Sequence, residues 1–273
     1  MIKTILVATD GSEAAGAAED FGLGLAGRLQ ANASGITVIE DRDVRAPKVD
    51  GLSVAAFPET ELQAYYRSRG DAVAQRFSQR AQAANASANC DVSGGIADEA
   101  IIERSQASDV VVVGRNGKGE PYGGSLVGAT TARLIRKTSR STVVVPSGAS
   151  LGGPVVLGFD GSPGSRIAAT LAIQLATGLG ESIHIFVDSK DKGRAVARFE
   201  EVRQLLGSFG GSVRETSSTL GRPDVKIVDA AKEANAGLIV MGAFGRNRIS
   251  EYFLGSNAAS VVRISPVAVL LAR

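Results

Sequence analysis

The run Leu238-Ile239-Val240-Met241-Gly242-Ala243-Phe244-Gly245 is apolar and closes on glycines, and nine residues after it comes Gly255-Ser256-Asn257. The chemistry this spacing suits is the holding of an anion. A strand ending at Gly242 presents backbone without a Cβ to whatever lies beside it, and Gly245 lets the next turn adopt conformations that other residues avoid. The stretch after Gly255-Ser256 has helical spacing in Ala258, Ala259, Val261 and Val262. Its unpaired amides and the positive end of its dipole therefore face the same space. A phosphate there gains ~0.3–1 kcal/mol from the dipole, and up to roughly 2 when partly buried. Arg246 and Arg248, in the intervening loop, are further candidates for phosphate contact.

The elements that must position these residues are written twice. Ile5-Leu6-Val7-Ala8-Thr9-Asp10-Gly11-Ser12 parallels Val155-Val156-Leu157-Gly158-Phe159-Asp160-Gly161-Ser162, each followed by an Ala-rich helical stretch. Val110 to Gly117 answers Leu238 to Gly245, Ile36-Thr37-Val38 answers Ile183-His184-Ile185, and Thr142 to Val145 answers Val267 to Leu270. The order of these matches predicts a duplication into domains 1–148 and 149–273, each large enough to bury its own core. The small-residue stretch 147–153 between them reads as a freely bending linker that packs against nothing.

Within each half, β-rich runs alternate with helical segments, which predicts an α/β fold around a parallel sheet. Strands are expected near 3–8, 35–40, 90–95, 109–113 and 142–146, and again near 154–159, 182–187, 211–217, 237–241 and 267–272. The polar stretch from Asp41 to Glu59, with Pro47, Gly51 and Pro58, reads as a surface loop. In doubly wound sheets ligands lie beyond the C-terminal strand ends at the topological switch point, which would unite Asp160 and Gly242, the ends of the first and fourth strands. Asp160 and Asp10 suit an amino or hydroxyl donor there. Asp-Gly-Ser is equally good turn chemistry, with Ser12 or Ser162 capping the next helix.

Other motifs fail on context. Gly22-Leu23-Gly24-Leu25-Ala26-Gly27 has dinucleotide spacing but lies inside a helix rather than at a strand-to-helix turn, so it predicts close helix packing. Gly117-Lys118-Gly119 lacks the spacing of a phosphate-binding P-loop. His184, the only histidine, reads as structural, and no nucleophile–histidine arrangement can be built in both halves. With 30 Lys+Arg against 28 Asp+Glu and no basic run, nucleic acid is not an expected partner. The single cysteine, Cys90, excludes an intramolecular disulfide and a cysteine metal cluster; it reads as core packing in a protein of the reducing cytoplasm. No apolar run approaches the ~20 residues of a membrane span.

On these residues both halves resemble the universal stress protein family. The nucleotide-binding branch of that family is marked by G-x-x-G, nine residues, then G-[ST], and the second half carries it as Gly242, Gly245, Gly255 and Ser256 behind Met241. The resemblance implies two doubly wound domains, each a five-stranded parallel sheet of order 3-2-1-4-5 with helices on both faces. It also implies an ATP site: Gly158, Phe159 and Asp160 line the adenine and ribose side, Ile185 meets the base through its backbone, and Gly242, Gly245, Gly255, Ser256 and Asn257 hold ribose and phosphates. The terminal strands, near Val143–Val145 and Val267–Leu271, are implied to pair the domains about a pseudo-twofold, with monomer and homodimer both open. In the first half Gly114 and Gly117 are intact, but ten residues precede Gly128, Ala129 replaces the hydroxyl residue, and Thr130 follows one place later. The extra residue would shift the phosphate amides by up to ~3.5 Å unless the loop bulges. Thr9, Asp10 and Val38 still suit an adenosine, so an empty or weaker site is expected there. The leading expectation is a cytoplasmic stress-response protein that binds ATP, with or without Mg2+, as a regulatory signal. The loop has one carboxylate, Glu251, and no lysine, so at most slow hydrolysis is expected. The alternatives are a scaffold that binds other proteins without nucleotide, and a nucleotide-using enzyme related to adenylate-forming proteins.

Overall fold

The computed structural model describes residues 1–40, 48–49, 52–53, 59–117, 127–207, 209–219, 221–244 and 254–273. The first repeat is built from β1 (Thr4–Ala8), α1 (Glu13–Leu29), β2 (Asn32–Glu40), a short β3 (Lys48–Val49) and β4 (Leu52–Ser53) pair, α2 (Glu59–Ala83), β5 (Cys90–Gly95), α3 (Ala97–Ser105), β6 (Val110–Gly114), α4 (Ala129–Lys137) and β7 (Ser141–Val145). The second contains β8 (Val155–Gly158), α5 (Pro163–Leu179), β9 (Ile183–Asp188), α6 (Lys192–Leu205), β10 (Val213–Ser218), α7 (Pro223–Glu233), β11 (Leu238–Gly242), α8 (Ser256–Ile264) and β12 (Ala268–Ala272). Every predicted strand is present. Of the stretch 41–59, only β3, β4 and the start of α2 fall among the described residues.

All the main strands form one ten-stranded sheet, in the order β10-β9-β8-β11-β12-β7-β6-β1-β2-β5. Each repeat contributes five parallel strands ordered 3-2-1-4-5 in its own sequence. The repeats meet where β12 runs antiparallel to β7, with Val269 opposite Val144 and Leu270 opposite Val143. The antiparallel contact relates the copies by a pseudo-twofold and removes two edges that would otherwise expose unpaired backbone.

Alternation along the strands assigns a core to each face. Ile5, Val7, Leu157, Ile185 and Val240 pack under α1, α2, α5 and α6, whereas Leu6, Val113, Phe186 and Ile239 pack under α3, α4, α7 and α8. Gly22 belongs to the first of these layers: a Cβ there would stand 2.6 Å from Val7 Cγ2, so the glycine serves close helix–strand packing. Helix α1 also touches α5 across the pseudo-twofold, where the Arg28 guanidinium donates to the Leu179 carbonyl.

The stretch between the repeats is packed, contrary to the expectation from its composition. Leu151 lies against the core and near Gly24, and the Gly153 amide donates to Glu181 Oε1 at 2.9 Å. Gly152 and Gly153 take φ of +130° and +88°, which lets the chain thread beside Asn235 and Gly237. Small residues here permit close passage rather than free bending.

Candidate functional site

In both repeats the first strand ends in the same turn. Gly11 and Gly161 adopt φ of +75° and +76°, conformations that glycine takes without strain. The Asp10 and Asp160 carboxylates each accept from the amide two residues on, Ser12 or Ser162, at 2.9 Å. Ser12 and Ser162 in turn cap α1 and α5, accepting from Ala15 and Ser165 amides at 3.1 and 3.2 Å. One oxygen of each aspartate is thus committed to holding the turn, which fixes where its carboxylate sits at the strand end.

Above the C-terminal ends of β8, β9 and β11 lies a cleft of about 510 Å3. It brings together Gly158, Phe159, Asp160, Met241, Gly242, Gly255, Ser256 and Asn257, which the sequence placed at one site. Phe159 turns its ring into the core beneath α5 and α6, so its share of the lining is backbone. Gly158 leaves room: a Cβ there would stand 2.7 Å from Ile227 Cδ1 and 3.4 Å from Met241 Cβ, on the cleft floor. Helix α8 begins at the far wall. Its N-cap, Gly255, offers no side-chain cap, so the first-turn amides have no intrahelical acceptor and open into the cleft beside exposed Ser256 and Asn257. Gly245, Arg246, Arg248 and Glu251 lie outside the described residues.

Two expectations are corrected. Ile185, expected to meet the base through its backbone, is not among the cleft-lining residues, and its side chain is buried in the opposite layer of the sheet. The hydrogen-bond register shows why. Gly158 pairs with Phe186 as Ala8 pairs with Ile36, so Ile36 to Val38 correspond to Phe186 to Asp188, three residues beyond the match read from hydrophobicity alone. Phe186 and Asp188 are therefore the cleft-facing positions of β9, and the counterpart of His184 is Ser34. The second correction concerns Gly242. A Cβ there would meet Gly164 C at 2.8 Å and Ser165 N at 3.1 Å, so this glycine is required by the first turn of α5 rather than by the approach of a ligand. Gly114 is less tightly held: a Cβ there would stand 3.0 Å from Asn116 O in its own loop and only in ordinary contact with Ala14 and Ala15 of α1.

The cleft also contains residues that sequence reasoning missed: Phe186, Asp188, Arg198, Pro223 and Ile227. Alternation from His184 would have placed Phe186 and Asp188 on one face. Arg198 was detectable as a charge within the apolar stripe Ala195, Phe199 and Val202. His184 is buried and structural: Nε2 lies 2.7 Å from Thr216 Oγ1, and burial, reinforced by Arg214, holds its pKa below the ordinary value.

The first repeat forms a comparable cleft of about 460 Å3, lined by Thr9, Asp10, Val38, Gly114, Gly117, Gly128 and Thr130 among others. The extra loop residue does not displace its helix. Gly128 caps α4 at φ −55°, ψ 146°, almost as Gly255 caps α8 at φ −58°, ψ 139°. In both, the N-cap amide donates at 2.9 Å to the carbonyl that follows the strand-four glycine, Arg115 in one repeat and Ala243 in the other. What differs is the lining. Here Asp10 Oδ2 would lie 2.7 Å from a Cβ on Gly117, Thr9 turns its hydroxyl to buried Glu19, and Tyr66 and Arg69 of α2 form one wall.

Two arginines tie the cleft loops across the pseudo-twofold. Arg115 Nη1 donates to the Arg263 and Ser265 carbonyls, at 3.2 and 2.8 Å, at the C-terminal end of α8. Arg273 donates to the Ile135 and Arg136 carbonyls at the end of α4, and its guanidinium stacks 4.5 Å from the centre of the Phe244 ring. Each cation meets the negative end of a helix whose positive end opens on a cleft.

A sequence model described as the Universal stress protein family matches residues 1–146 and again 153–273. A universal stress protein of Synechocystis is 25% identical across the whole of both chains. Another, from Mycolicibacterium smegmatis, is 30% identical over 63% of this chain and 64% of its own length. Among solved structures, a universal stress protein from Archaeoglobus fulgidus superposes with a TM-score of 0.79 at 21% identity, covering 99% of this chain and 98% of that one, which shows a shared fold.

Proposed function

We propose that this chain, which belongs to the universal stress protein family, binds ATP in the cleft of its second repeat and uses occupancy of that cleft as a regulatory signal in the cytoplasmic stress response. The observation that carries this reading is the open start of α8, where uncapped amides and the helix dipole face a cleft with both polar and apolar walls, large enough for a nucleoside. In this reading Gly255, Ser256 and Asn257 receive the phosphates, with Gly245, Arg246 and Arg248 of the intervening loop. Gly158, Asp160 and Met241 flank the ribose and base. Mg2+ would arrive on the phosphates, since the described residues include no group of three or more His, Cys, Asp or Glu side chains able to grip it. Residues 1–148 and 149–273 act as paired domains, the first with a weaker site.

Gly242 is unsuited to testing this, because a side chain there would strike α5. Ser256→Asp is cleaner. A carboxylate in the first turn of α8 favours the helix by ~0.3–1 kcal/mol while repelling phosphate, so folding and binding move in opposite directions. Calorimetric titration should show ATP binding weakened at least ~10-fold, about 1.4 kcal/mol, with an unchanged or higher melting temperature. Undiminished affinity in this variant would refute the placement. Native mass spectrometry of gently purified protein should find retained ATP or ADP; no binding even at saturating nucleotide would favour a protein-binding scaffold instead.

A further inference from the structure

Helix α6 buries Ala195, Phe199 and Val202, and the same stripe includes Arg198, which is only 7% exposed. A guanidinium carries five N–H donors and cannot be deprotonated in a protein, so its burial needs partners. Arg198 has one: Nη1 donates to the Asp188 carbonyl at 2.7 Å, at the end of β9. Among the described residues no carboxylate pairs with it. That single bond orients the guanidinium, and Arg198 lines the second cleft with its remaining donors available.

Its position selects the part of a ligand it would meet. β9 and β11 flank β8, so two strand spacings, roughly 10 Å, separate the Arg198 end from the strand that leads to the anion-holding start of α8. A nucleoside with phosphates at α8 directs its base toward Arg198. A second phosphate fits this end poorly, because Asp188 also lines it and would repel an anion. A neutral acceptor with an in-plane lone pair fits the guanidinium without bringing a second negative charge to Asp188. We propose that Arg198 reads the base, donating to a ring nitrogen of a purine, and that it sets a preference for purine over the shorter pyrimidine nucleotides. This rests on the nucleotide reading given above.

The test is calorimetric. The unmodified protein is titrated with ATP, CTP, inorganic tripolyphosphate and the 1-, 3- and 7-deaza analogues of ATP, each of which replaces one ring nitrogen with C–H. One analogue and CTP should bind at least ~10-fold more weakly than ATP. Arg198→Met should lose a similar factor for ATP, erase the difference between ATP and that analogue, and leave tripolyphosphate affinity unchanged. If all three deaza analogues match ATP, or if Arg198→Met weakens tripolyphosphate as much as ATP, the inference is overturned while nucleotide binding stands. If neither ATP nor CTP binds the unmodified protein, the nucleotide reading falls and takes this one with it. The analogue series needs no variant, so it decides the matter even if Arg198→Met fails to fold.

Discussion

The two repeats share a backbone plan but differ in how charge holds it. In the first, buried Glu19 takes Arg76 at 2.9 Å and Arg80 at 3.2 Å, tying α1 to α2 and receiving the Thr9 hydroxyl from the cleft floor. The equivalent position in α5, seven residues after the capping serine, is Ala169, which packs in the core. Buried Asp98 clamps α3 to α4 through Arg133 and Lys137, both at 2.8 Å, whereas its counterpart Asp224 meets Ser260 at 2.8 Å and Arg222 at 3.4 Å. Duplication copied the sheet and the helix starts, and each copy then settled its interior separately. The first repeat fixes the helices around its cleft with ion pairs. Among its described residues the second places no carboxylate in that interior, tying α5 to α6 through the more exposed Arg166–Glu201 pair at 2.6 Å, and leaves a buried arginine facing its cleft.

Removing the charges should therefore damage the copies unequally. The largest effect is expected from Glu19→Ala, which gives α1 the residue that α5 already has but strands two arginines built around a carboxylate. Loss of a buried partner costs about 3–5 kcal/mol, and the lower end applies because Arg76 and Arg80 are more than a third exposed. Urea unfolding measures it; a loss below about 1 kcal/mol would show that the ion pairs are no substitute for packing.

Asp98→Asn should cost about 2 kcal/mol, the scale of hydrogen bonds to a charged group, and Asp224→Asn less. The pH dependence sharpens this pair. Burial raises the Asp98 pKa, but hydrogen bonds from Lys137 and Arg133 outweigh it and hold the carboxyl below its ordinary value. A carboxylate depressed in the folded state contributes in full above its unfolded pKa, and the contribution disappears as pH falls through the folded one. The stability gap between the protein and Asp98→Asn should therefore be constant from pH 7 to about 5 and shrink below about 4. A gap that widened on acidification would contradict the clamp.

Arg115→Met and Arg273→Met each remove carbonyl contacts at a helix C-terminus and should cost about 1–1.5 kcal/mol. Similar losses would show the ties to be reciprocal, and a large imbalance would show one repeat leaning on the other. The smallest effect concerns the third-strand edge, where Cys90 occupies the place of Glu215, which is paired with Arg203. Burial, with the Asp91 and Glu19 charges, pushes the Cys90 thiol up to about 12. At pH 8 a disulfide reagent should react with the folded protein at least ~10-fold more slowly than with the unfolded chain; comparable rates would mean this edge opens readily.

The strands, the duplication, the glycine motif and the helix starts were legible in the sequence because each depends on neighbours within a few residues. Alternation reveals a strand, and Asp-Gly-Ser reveals a turn with a cap. Register was not legible. His184 and Thr37 look alike in an alternating run, yet pairing with β8 and β1 shifts the match by three residues and replaces Ile185 with Phe186 and Asp188 at the cleft. The purpose of Gly242 was hidden for a similar reason: the atoms that forbid its Cβ, Gly164 and Ser165, lie on another element.

The amino-acid order alone determined that this chain folds as two α/β copies with a phosphate-suited helix start, since propensity, periodicity and turn chemistry act locally. Only the tertiary structure decided the register that brings Phe186 and Asp188 to the cleft, that the longer first loop leaves α4 capped as α8 is, and that Arg198 faces the second cleft. Those outcomes depend on which surfaces meet across the sheet, and contacts between distant residues are chosen by packing the whole core rather than by any short segment.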